Sequence, residues 1–158
     1  ILLSLPVART SILASRITAN VIALVASAVV GFISLLIAMS LANMSLAMGH
    51  LVAAFVSEVL IGSLYGSIAL VIASVTGKRG VAVGAAIFVA IASFVLYSLA
   101  PLVSTLKAAL PINPFQWALG AQPLTNGLSV GYTAALVTST AILAIASLFA
   151  YQHRDIRA

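Results

Sequence analysis

The sequence predicts an all-α membrane protein: four transmembrane helices paired as two hairpins, with a proline-rich outer loop carrying a short interfacial helix. Three observations carry this. The chain is 63% hydrophobic and only 6% charged, and a mean hydropathy of +1.27 leaves too little charge for a soluble surface. Its apolar runs reach the ~20 residues that a spanning helix needs: Glu58 is the only charge between Arg16 and Lys78, and none occurs from Gly80 to Leu106. The cations then sort by side. Arg9, Arg16, Lys78, Arg79, Arg154 and Arg157 fall on one face of a four-span arrangement and Lys107 alone on the other, which predicts both ends of the chain cytoplasmic in the cell membrane.

Residues 1–16 form a cytoplasmic or interfacial segment. Arg9 and Arg16 are seven apart and share one helical face with Ile12 and Leu13 close to it. Two readings stay open: an amphipathic helix along the interface, or the cytoplasmic end of a helix with its anchoring charges. The spans are expected at about 17–39, 50–74, 81–100 and 132–150. Thr76-Gly77-Lys78-Arg79-Gly80 is a hydrophilic turn between the second and third, where glycine gives a short connection its backbone freedom. The sequence begins at Ile1 within an apolar run and reads as a piece of a longer chain.

The second span holds the sharpest candidates. Gly62 and Gly66 form a GxxxG pair beside a Ser63/Ser67 row, the pattern that lets helix backbones approach closely in lipid. Glu58 stands four residues before Gly62, and a carboxyl within a span normally faces protein or water. It is a candidate intramembrane substrate, ion or proton site, or else a packing residue held by a neighbour such as Tyr65; burial against another helix is expected in either case. Ala82, Ala86 and Ala90 form a further small-residue row in the third span.

The outer loop, 101–131, contains four of the five prolines, so it is no continuous helix. Asn113 can cap a short helix beginning at Pro114, Gln116 can close a capping box, and Gly120 can end it. Phe115 and Trp117 are expected to anchor that helix at headgroup depth, and Asn126-Gly127 marks a turn. From Ala108 to His153 there is no Lys, Arg, Asp or Glu. A loop so apolar lies in the interface or dips back toward the bundle.

Several chemistries are excluded. The chain has no cysteine, hence no disulfide, thiolate metal site or catalytic thiol. Topology explains the net charge of +5 without nucleic acid. Gly77-Lys78 is followed by Arg79 and preceded by Ile72 where a phosphate-binding loop needs glycine. Two acids and two histidines placed far apart in the topology make no catalytic constellation, and no cofactor or metal is implied.

The run Asn113-Pro114-Phe115-Gln116-Trp117-Ala118-Leu119-Gly120, followed by Gln122-Pro123-Leu124-Thr125-Asn126-Gly127-Leu128, resembles the outer loop of bacterial type-2 ABC transporter permeases. Leu5-Pro6-Val7-Ala8-Arg9-Thr10 is similar to that family's cytoplasmic segment before its third span. Tyr151-Gln152-His153-Arg154-Asp155-Ile156 is similar to its C-terminal ending. The three matches occur in the family's order; Ala8 stands where Ser is common and His153 where Arg is common. The resemblance implies the C-terminal part of a six-span permease domain, working with an ABC ATP-binding subunit and a second permease domain in a homo- or heterodimer. Asn113, Pro114, Trp117, Pro123, Asn126 and Gly127 would carry its outer-loop motif. Leu5, Pro6, Arg9 and Ile12 would lie on the surface that docks the ATPase, and Glu58 matches no motif of the family.

The leading expectation is therefore the permease subunit of an ATP-driven exporter. Its alternatives are a secondary transporter or channel using Glu58 as a proton or cation site, and a structural membrane subunit.

Overall fold

A computed structural model describes residues 9–152, and among them there are helices and no strand. Four are long and apolar enough to cross a membrane: α1 (Arg9–Leu41), α2 (Met48–Thr76), α3 (Arg79–Leu99) and α6 (Val130–Gln152). Between α3 and α6 the chain forms a 3₁₀ helix (Ser104–Ile112) and two short helices, α4 (Pro114–Leu119) and α5 (Pro123–Asn126). The protein is an all-α, multi-pass membrane protein.

α2 is the axis of the bundle, with α1, α3 and α6 all packed on it. Its 29 residues extend about 43 Å, well beyond a hydrocarbon core of about 30 Å, so one end meets the loop helices while the other forms the turn to α3. At that turn end Gly77 takes a left-handed conformation (φ 69°, ψ 3°) and donates its N–H to the Ala73 carbonyl. This is the usual glycine stop of a helix. Lys78 alone then separates Gly77 from α3; Arg79 and Gly80, read from the sequence as part of the turn, already lie in the helix.

α1 is continuous through the expected boundary at residue 16, from Arg9 to Leu41. No break divides an interfacial segment from the span, because nothing between Arg9 and Ile17 is proline or glycine. Leu5 and Pro6 lie outside the described residues, as does the chain beyond Gln152. Ala82 and Ala86 of α3 are buried and Ala90 is half-buried, so this row serves packing as its spacing suggests. Much of the outward surface of α1, α3 and α6 remains apolar and exposed, as it must where lipid or further helices complete the environment.

Candidate functional site

The loop between α3 and α6 folds back into the bundle. Asn113 starts α4 as its N-cap, its side-chain oxygen accepting from the Phe115 N–H at 2.8 Å, with Pro114 in the first turn. Its amide nitrogen donates to the Ser93 carbonyl of α3 at 2.9 Å, and Asn113 is only 5% exposed. One side chain thus begins the helix and ties it to the bundle. Ala118, with Leu64 of α2 and Leu136 of α6, forms a buried core that Tyr65, Trp117 and Leu143 flank.

Phe115, expected to anchor α4, turns its ring toward α2 and α3. Its ring lies 5.9 Å from that of Tyr65 and 5.3 Å from that of Phe94, centroid to centroid. Tyr65 stands about 16 Å along α2 from Thr76, which puts Phe115 deep between α2 and α3. The reason is aromatic packing: the half-buried ring meets Tyr65 in a tilted contact and Phe94 in an edge-type one, the geometries aromatic pairs favour. Trp117 is half-buried, its indole N–H donating to the Pro111 carbonyl at 2.7 Å. Gln116 makes no capping box: Asn113 N–H goes to the Leu110 carbonyl, leaving the Gln116 amide to reach the Tyr132 hydroxyl at 3.2 Å. The Tyr65 hydroxyl is buried without a well-formed hydrogen bond, the Ser93 side chain close to it.

The second half of the motif closes the loop over the end of α2. Pro123 is buried at the start of α5, and Asn126 donates to the Ala121 carbonyl at 3.0 Å. Gly127 has φ 77°, and a side-chain carbon there would come 3.7 Å from the His50 ring. The turn expected at Asn126-Gly127 therefore rests on His50.

The glycine row of α2 faces α1. A Cβ at Gly62 would lie 2.6 Å from Leu24 Cδ2, and one at Gly66 would collide with the Asn20 amide. A Cβ at Gly31 of α1 would in turn lie 3.1 Å from the Phe55 ring of α2. These two helices consequently run close together along most of their contact.

Glu58 does not share that burial. It is exposed on the described chain, contrary to the expectation from its spacing. Four residues turn an α-helix by about 400°, so the row Glu58, Gly62, Gly66 drifts by ~40° per step. By Glu58 the row has left the α1 seam.

At the turn end a cleft of about 590 Å³ opens between the four long helices, bordered by Asn20, Gly66, Ser74, Gly77, Arg79 and Tyr151 among others. Sequence reasoning passed over Asn20 and Ser74. The signal was present: Asn20 is the only amide side chain within residues 17–39, and a strongly polar residue in a span invites a functional reading. No group of histidines, cysteines and acids suited to a metal occurs among the described residues.

Compared with known proteins, residues 1–156 match the model of one family, ABC-2 family transporter protein. No curated protein and no solved structure matches the chain. A match over nearly the whole length shows the family: the chain belongs to the ABC-2 family of transporter proteins, and is a permease subunit of an ABC transporter.

Proposed function

From that membership we propose that the chain is the C-terminal part of the membrane domain of an ATP-driven exporter. It forms one side of the translocation path, receives energy from a separate ATP-binding subunit, and works beside a second permease domain of the same or a different kind. The single observation supporting this is the family match over residues 1–156 on a chain with four spanning helices and no phosphate-binding loop of its own. We place the turn end and both chain ends on the cytoplasmic side of the plasma membrane, as the cation distribution argues.

In this arrangement the α4 helix, held by Asn113, closes the outer mouth of the bundle. Leu5, Pro6, Arg9 and Ile12 face the ATPase. Glu58, exposed on this chain, meets a helix of the remaining permease rather than α1. Purification of the permease from its native membrane should bring an ATP-binding protein with it, and vesicles holding both should transport only with hydrolysable ATP. Proton-coupled transport without ATP, abolished by Glu58→Gln, would overturn this reading and establish the secondary-transporter alternative.

A further inference from the structure

The cleft at the turn end contains polar groups that the protein leaves unsatisfied. Ser74 is 2% exposed and lines the cleft, yet its hydroxyl makes no hydrogen bond among the described residues. Several serines and threonines in these helices bond back to their own carbonyls instead, as Ser67 does to Ser63, Thr76 to Ile72 and Thr138 to Ala134. The Asn20 amide also lacks a partner there, held against the bare backbone of Gly66. The Ser74 hydroxyl and the half-buried Asn20 amide are thus left open to water or a ligand in the cleft.

Among the described residues, the charge bordering the cleft has one sign. Arg79 borders it and is exposed, and the only acid among the described residues, Glu58, lies about 24 Å up α2 from Ser74. Arg79 also opens α3, whose cap residue Lys78 offers no side-chain acceptor, so the first N–H groups of a 21-residue helix add a positive end. Tyr151 supplies a further hydroxyl from α6. The remaining wall, including Ala69, Leu70 and Val83, is apolar.

We propose that this cleft binds the anionic head of an amphiphile. Arg79 supplies the charge, Asn20 and Ser74 donate hydrogen bonds to the head, and the alkyl body lies along the apolar wall. A phosphate or carboxylate head satisfies these groups together, whereas an ammonium head would meet Arg79 as a like charge. Two sources share this chemistry: a headgroup of the adjoining leaflet, or an amphiphile entering from water. The site needs only that the chain spans a membrane, and does not depend on ATP coupling or on the direction of transport.

The test is photolabelling of the whole permease in phosphatidylcholine nanodiscs, without ATP, by an alkyl phosphate bearing a diazirine in its chain. Label should appear by mass spectrometry on the α2 and α3 segments bordering the cleft, and excess decyl phosphate should suppress it. Arg79→Gln should lower labelling about tenfold and Ser74→Ala about threefold, with Arg79→Lys retaining most of it. Lys78→Gln removes the same charge one residue outside the cleft and should leave labelling intact. Suppression when a fifth of the lipid is phosphatidylglycerol identifies the leaflet as the source; undiminished labelling identifies the free amphiphile. Equal labelling by the corresponding uncharged alcohol, or equal losses in Arg79→Gln and Lys78→Gln, would overturn the proposal. Size-exclusion elution and unchanged Trp117 emission establish that each variant is folded.

Discussion

Asn113 and Ser93 are joined by a 2.9 Å hydrogen bond from the asparagine amide to the serine carbonyl, and this bond holds the loop helix α4 inside the bundle. The same asparagine caps α4 through the Phe115 N–H. Asn113→Ala removes both bonds in a buried setting, at a cost of about 1–3 kcal/mol. Trp117 is the only tryptophan, so its fluorescence reports on α4 directly. The variant should show red-shifted emission and greater quenching by iodide; emission identical to the parent would mean that aromatic packing alone retains the helix.

Phe115→Ala tests that packing separately. Losing the contacts with Tyr65 and Phe94 should destabilise the protein by about 3 kcal/mol or more, read as a lower thermal midpoint in detergent. Phe115→Leu, which keeps most of the apolar volume, should recover much of the loss.

At the α1–α2 seam the two glycines differ in tolerance. The atom nearest a Cβ at Gly62 is the methyl end of Leu24, which can turn aside, so Gly62→Ala should be mild, about 1 kcal/mol. Gly62→Leu should separate the helices and reduce folded yield. Pairing Gly62→Ala with Leu24→Ala should show non-additive stability, since the residues touch.

Glu58 points away from the α1 seam, so Glu58→Gln should leave folded yield and thermal midpoint within about 0.5 kcal/mol of the parent. A cysteine at position 58 should cross-link to another part of the permease. Normal assembly and transport in Glu58→Lys would show that the carboxyl faces water or headgroups and has no role in a pathway.

The orientation can be read chemically. With no cysteine in the chain, single cysteines at the exposed positions Ser45, Thr76 and Thr125 report their side of the membrane. In intact cells an impermeant maleimide should label Ser45→Cys and Thr125→Cys and spare Thr76→Cys; the opposite pattern inverts the proposed topology. Replacing Leu5 and Ile12 together by Asp should uncouple ATP hydrolysis from export while the spans stay inserted. Export at the parental rate would move the coupling surface elsewhere.

The spans were legible in the sequence because a helix in lipid satisfies its backbone within itself, so length and hydropathy locate it without reference to neighbours. The turn around Gly77, the cap at Asn113 and the turn at Gly127 were legible for a similar reason: each depends on residues within a few positions. The family was legible in short runs around Asn113, Pro123 and Arg9, which fall in a fixed order. Tertiary structure alone decided the rest. It decided that Phe115 goes inward to Tyr65 and Phe94, that Gly62 and Gly66 meet α1, and that Glu58 faces away. It also decided that Asn20 and Ser74 reach one cleft beside Arg79. These outcomes depend on how the helices rotate and cross, and hydropathy is blind to that rotation when nearly every face of a helix is apolar. A drift of ~40° over four residues is enough to carry a carboxyl out of a seam that its spacing appoints it to.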